Sequence, residues 1–255
     1  AIKIIESFIK GKKDEKSCED MLFVSDDFIA VIDGVTSKSD FRYEGQTTGR
    51  IAAKLIWDTL HDIAADADVQ CFVKKVNEAF DRFYETVDFQ YDRSQVGLQA
   101  ACVVYSSHYN EVWMIGDCQA RIGNDVYLNP KKSDEILADF RCLAFKILCD
   151  EGASVEALER DDKARAIILP WIVKATRFAN DDSTEYGYSI FNGHPIPDSL
   201  IRKICLSEGE HEIILTSDGY PMVEKTLDES EKTLDRILRE DPACYVQIHS
   251  TKGLA

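Results

Sequence analysis

Three apolar runs in this sequence end on an aspartate beside a glycine. Phe28 to Ile32 lead into Asp33-Gly34, Val112 to Ile115 into Gly116-Asp117, and Ile213 to Leu215 toward Asp218-Gly219. An earlier acidic pair, Glu19-Asp20, places Asp20 thirteen residues before Asp33. Any one of these is ordinary turn chemistry, because Asp and Gly are the residues tight turns favour. Their recurrence has a different consequence. A carboxylate at the lip of a buried strand is rigidly held, and several converging there repel one another unless a cation sits among them. Oxygen-only donor sets select hard ions such as magnesium, manganese or calcium over metals that prefer imidazole and thiolate. A neighbouring glycine leaves the backbone carbonyl open to approach by an ion or water.

The elements that must carry these residues follow from periodicity. Alternating or continuous apolar runs predict strands at 2–8, 20–24, 27–33, 97–106, 110–115, 186–191, 201–206 and 211–217. Ala52, Leu55, Ile56, Leu60 and Ile63 form one helical stripe, and Val69, Phe72, Val73, Val76, Phe80, Phe83, Tyr84 and Val87 a second. A third stripe, Ile136, Leu137, Phe140, Leu143, Ala144, Ile147 and Leu148, precedes a segment from Ser154 that Pro170 is predicted to interrupt, and a last helix is predicted over 227–240. Strands, two helices, strands, two helices, strands and a helix do not suit an alternating parallel sheet. They suit an α+β architecture of stacked antiparallel sheets with helices outside. No repeat, low-complexity tract or linker divides residues 1–255, which reads as a single domain.

Composition narrows the partners. With 30 Lys and Arg against 46 Asp and Glu, the formal net charge of −16 repels nucleic acid and anionic lipid. No apolar run has the length of a membrane span, and the first twenty residues lack the order of a signal peptide, so the chain reads as cytoplasmic. Its eight cysteines form no Cys-x-x-Cys pair and read as reduced thiols in apolar stripes. His61, His108, His194, His211 and His249 show no metal spacing and read as surface or capping residues; Trp57, Trp113 and Trp171 read as core. No Gly-x-Ser-x-Gly elbow or Gly-rich phosphate loop is present.

In order along the chain, Glu19-Asp20, "AVIDGVTS", "GLQAACVVY", "VWMIGDCQARI" and "IILTSDGY" resemble motifs of the metal-dependent serine/threonine protein phosphatases of the PPM, or type 2C, class, in a divergent bacterial style. The resemblance implies a four-layer α-β-β-α sandwich of two antiparallel sheets flanked by helices, with two magnesium or manganese ions at one edge. It implies hydrolysis of a phosphorylated protein or a small phosphoester by a metal-activated water. Carried over, Asp33 bridges the ions, Gly34 offers its backbone oxygen, Glu19 and Asp218 hold the other ion, Asp20 orients a water, and Asp117 stands behind them or holds a third ion. Where the family places a phosphate-gripping Arg this chain has Glu15, leaving Lys12, Lys13 or Lys16, with Lys16 the candidate for substrate phosphate. Val35 replaces the His of eukaryotic members. The resemblance also implies a final strand bearing a last acidic ligand, and the residues through "CYVQIHSTKGLA" are not expected to supply it. The alternative implied by these departures is a weak or inactive phosphatase-like binding module.

Overall fold

A computed structural model describes residues 2–9, 18–36 and 39–254. Its strands are β1 (Asp20–Val24), β2 (Phe28–Gly34), β3 (Ala100–Ser106), β4 (Glu111–Ile115), β5 (Gln119–Ile122), β6 (Asp125–Tyr127), β7 (Arg202–Cys205) and β8 (Ile213–Thr216). Its helices are α1 (Thr48–Asp62), α2 (Val69–Thr86), the single turn α3 (Arg93–Val96), α4 (Lys132–Asp150), α5 (Val155–Arg160), α6 (Lys163–Ala175) and α7 (Leu227–Glu240). The strands form two antiparallel sheets flanked by helices, one ordered β1-β2-β3-β4-β7 and the other β6-β5-β8.

Strand alternation decides what each face carries. Along β2, Phe28, Ala30, Ile32 and Gly34 are buried while Ile29, Val31 and Asp33 are partly buried. The first set packs on the helices: Ala30 and Ile32 join Ile56, Leu60, Phe72, Val76, Phe80 and Trp113 in the largest cluster. The second set faces the smaller sheet, where Val31 packs with Ala101, Val103, Met114, Ala120, Ile122 and Leu215. Asp33 is therefore aimed between the sheets because its strand buries every other residue against α1 and α2. Each fully buried Phe or Leu contributes about 1.5–3 kcal/mol, and this cluster is what holds the end of β2 rigid.

Side-chain caps set the two packed helices: Thr47 accepts from the Arg50 N–H before α1, and Asp68 from the Cys71 N–H before α2. A third cluster, Ala144, Phe145, Leu158, Ala164 and Ala243, joins α4, α5 and α6 to the segment after α7. Its hub is Arg141, fully buried, which donates to Asp162 Oδ2 at 2.6 and 2.9 Å and to the carbonyls of Ala243, Cys244 and Ser250.

Several expectations are corrected. Residues 2–9 form no strand; Ile4, Ile5, Phe8 and Ile9 are exposed, and Glu6 accepts from the Leu227 N–H at the start of α7. Residues 186–191 make only isolated bridges, Ala179 with Tyr188 and Ala100 with Phe191. The β5–β6 hairpin was not anticipated, although Gly123 at φ 59° supplies its tight turn. Pro170 does not interrupt α6 but sits inside it; Pro170 and Ala166, whose carbonyl loses its donor, are both exposed, so water can serve that oxygen. The third stripe is only partly core: Ala144 is buried and Leu148 packs on the third cluster, but Ile136, Phe140, Leu143 and Ile147 are exposed, and α4 also buries Ala138, Arg141, Cys142 and Phe145. Trp171 is 57% exposed, not core, whereas Trp113 is fully buried. Residues 241–254 carry no strand and turn back against α4, with Asp241 accepting from the N–H groups of Tyr245, Val246, Gln247 and Ile248.

Candidate metal centre

The strand register gathers the acidic residues. Asp20 pairs directly with Asp33 across β1 and β2, and Asp33 in turn with Ala101 of β3. In the smaller sheet Gln119 pairs with Thr216, so Asp117, two residues before the one, and Asp218, two residues after the other, leave the same end of the β5–β8 ladder. Gly116 links the sheets. Its φ of 88° suits glycine, and a Cβ there would lie 2.4 Å from the Ala101 Cβ, so only glycine lets the chain leave β4 this close to β3. Ser189 Oγ accepts from the Gly116 N–H at 3.0 Å, and Asn129 Nδ2 donates to the Gly116 carbonyl at 2.9 Å.

The result is a group of mutually repelling carboxyls. Desolvation, then the charges of Asp218 and Asp20, push Asp33 well above the ordinary carboxylate value, and its carboxyl lies within hydrogen-bonding reach of both. Asp117 is also raised, first by burial; Lys131 opposes the rise and Asp218 adds to it. The buried Cys118 thiol is raised by desolvation and by Asp33, Asp117 and Asp218, which keeps it protonated and the charged donors all oxygen.

Glu19 is held differently. Its Oε1 accepts from Thr36 Oγ1 at 2.7 Å and its Oε2 from Thr47 Oγ1 at 2.8 Å, so the capping hydroxyl of α1 also orients this carboxylate. Gly34 donates its N–H to the Glu19 carbonyl at 3.1 Å. A Cβ on Gly34 would sit 2.2 Å from the Gly49 carbonyl oxygen, and one on Gly49 would sit 2.0 Å from Glu19 Oε2. Helix α1 thus abuts the end of β2 through two glycines. Arg50 Nη1 donates to the Cys18 carbonyl at 2.8 Å.

By chemistry this donor set fits a hard divalent cation, which would relieve the repulsion that adds to burial in driving Asp33 toward its protonated form. By position it is open: among the described residues no three His, Cys, Asp or Glu side chains are arranged as a metal-holding group. The Asp33 carboxyl is in hydrogen-bonding reach of Asp20 and of Asp218, Asp117 is linked to them through the charge of Asp218, and Glu19 turns toward the threonines. Lys16, with Lys12, Lys13 and Glu15, lies outside the described residues.

Sequence reasoning missed Lys131. Burial pulls this ammonium down, but Asp117, Tyr188, Asp134 and Asp218 outweigh it and leave it above its usual value. Its only sequence signal is its place beside Lys132, ahead of an acidic first helical turn.

The chain is similar to several solved structures. The Mycobacterium tuberculosis serine/threonine phosphatase PstP/Ppp is 16% identical, with 87% of this chain and 84% of that chain covered and a TM-score of 0.43. PppA, a regulatory component of T6SS in Pseudomonas aeruginosa, is 16% identical, with 85% and 76% covered and a TM-score of 0.42. The PstP catalytic domain in complex with two manganese ions is 14% identical, with 87% and 85% covered and a TM-score of 0.46. No family model matches the chain, and no curated protein matches it. No helix among the described residues is long and apolar enough to cross a membrane.

Proposed function

We propose that residues 1–255 act as one metal-dependent phosphatase domain, hydrolysing phosphoserine or phosphothreonine in proteins with its reaction centre at Asp33. The observation that carries this reading is the convergence of Asp20, Asp33 and Asp218 from two sheets, with the Asp33 carboxyl in reach of both others. Such an arrangement opposes folding unless positive charge offsets it. Two magnesium or manganese ions, when bound, would supply charge to the phosphoryl oxygens and lower the pKa of an attacking water.

The chain's own residues divide the remaining work. Asp33, the Gly34 carbonyl, Glu19 and Asp218 would hold the ions. Thr36 and Thr47 fix the Glu19 carboxylate, the role of outer partners that orient a ligand. Asp20, paired with Asp33, would orient water. Asp117 would stand behind Asp218.

A second reading, a binding module without turnover, is favoured by one observation: both Glu19 oxygens already accept from threonines. The experiment that separates the two is phosphate release from a phosphothreonine peptide with manganese, repeated with the metal chelated. Manganese-dependent turnover supports the enzyme. Peptide binding without turnover supports the module.

A further inference from the structure

The packed helices α4 and α6 turn an apolar face outward. On α4, Ile136, Phe140, Leu143 and Ile147 follow one another at helical spacing and all are exposed; on α6, Ile167 and Trp171, one turn apart, are exposed as well. The two helices run in opposite directions. Asp162, the cap of α6, bonds Arg141 midway along α4, while the turn after α6 brings Phe178 against the Tyr186 ring, over which stands Lys132 at the start of α4. Ala144 and Ala164 share the third cluster, so the two stripes border one seam. Large apolar side chains exposed together on adjoining helices mark an interaction surface. The charges along it are divided. Helix α6 carries Lys163, Arg165 and Lys174 and no acidic residue, in a chain of net charge −16. Helix α4 carries Asp134, Glu135, Asp139 and Asp150, and its cations are committed: Lys132 to Glu185, Arg141 to Asp162 and Lys146 to Asp150. Among the described residues Glu135, Lys163 and Lys174 take part in no ion pair.

We propose that this face binds a second copy of the chain, with α4 of each protomer lying on α6 of its partner. A basic edge beside an acidic one is self-complementary. A twofold axis along the helices sets the α6 cations of one protomer on the α4 acids of the other, and because the end of α6 lies beside the start of α4, Lys174 of one then lies opposite Glu135 of the other. A partner of uniform charge would match one edge only. The apolar side chains hold the dimer, and the charged edges set its register. At −16 each, two copies repel at long range, so the dimer tightens as salt screens that repulsion. None of these residues belongs to the candidate metal centre, so the dimer stands or falls apart from the phosphatase reading.

Sedimentation equilibrium of the full chain, over a range of protein and sodium chloride concentrations, tests this. The variants are Leu143→Lys, Trp171→Lys, Lys174→Glu, Glu135→Lys and the double exchange Lys174→Glu with Glu135→Lys, each checked for folding by circular dichroism. The wild type should be a dimer in reversible exchange with monomer, tighter at high salt. Leu143→Lys and Trp171→Lys should each raise the dissociation constant on the order of tenfold or more. Each single charge reversal should raise it several-fold and the double exchange should restore it, a test that remains if neither apolar variant folds. A wild type that stays monomeric at every concentration would overturn the dimer and leave the face to another protein. A dimer untouched by Leu143→Lys and Trp171→Lys, one that loosens as salt rises, or a double exchange no tighter than the single reversals would overturn it as well.

Discussion

Asp20 and Asp33 face each other as directly paired residues of β1 and β2, and the Asp33 carboxyl lies within hydrogen-bonding reach of its partner. Two acids in this relation cannot both ionise without cost, and Asp218 adds a third charge from the other sheet. The chemistry proposed for this chain and the predictions below follow from that crowding.

The first prediction concerns pH and metal. Asp33 is raised by burial and then by Asp218 and Asp20, so the folded chain holds this proton more tightly than the unfolded one. The stability it contributes is fully present below the unfolded value of about 3.9 and is lost as pH rises through the raised value, above which the charged group opposes folding. Asp33→Asn should therefore raise the melting temperature at pH 7 in chelator. It should also lose most of the increase that millimolar manganese gives the wild type. Melting curves of both proteins with and without manganese check this; a lower melting temperature for the Asn variant in chelator would contradict it.

Activity should fall in the same variant. Loss of an outer partner alone costs roughly 10–100-fold in metal affinity or activity, so loss of the central ligand should leave turnover below about one hundredth of wild type. Phosphate release from a phosphothreonine peptide measures it, and near wild-type turnover would remove Asp33 from the centre.

Thr47 carries two tasks that can be separated. Its hydroxyl caps α1 and donates to Glu19 Oε2. Thr47→Val should cost about 1 kcal/mol of stability from the cap and weaken manganese binding roughly 10–100-fold through Glu19, while Thr47→Ser should restore both. Denaturant melts and calorimetry read the two effects; loss of stability with unchanged manganese affinity would show that the Glu19 contact has no bearing on the metal.

Gly34→Ala is predicted to destabilise out of proportion to its size. The added methyl would meet the Gly49 carbonyl oxygen at 2.2 Å and the Glu19 carbonyl oxygen at 2.9 Å, both backbone, so neither can swing aside. The expected cost is about 1–3 kcal/mol with displacement of α1 from the end of β2. A variant as stable as wild type in urea would show that α1 approaches less closely than described.

Much of this arrangement was legible in the sequence, and the parts that were not share a cause. Asp33, Asp117 and Asp218 stood out because each follows an apolar run, and a buried strand advertises its own end. Periodicity also anticipated α1 and α2, whose stripes face a sheet. It misled at α4, where Ile136, Phe140, Leu143 and Ile147 have helical spacing yet are exposed, because apolar spacing states that a face exists and not what covers it. Strand signal at residues 2–8 failed for the same reason. The β5–β6 hairpin was hidden by short strands of mixed polarity, with Gly123 as its one clear mark. Lys131 was illegible because a lysine before a helix reads as solvated, whereas this one stands over the Tyr188 ring.

The central claim is that divalent ions sit between Asp33 and Asp218 where the two sheets meet. The direct measurement is anomalous scattering from a manganese-soaked crystal of this chain. Peaks with Asp33 and Asp218 among the coordinating residues are the predicted result; peaks bounded only by other residues, or no peak while the soaked protein remains folded, would contradict it.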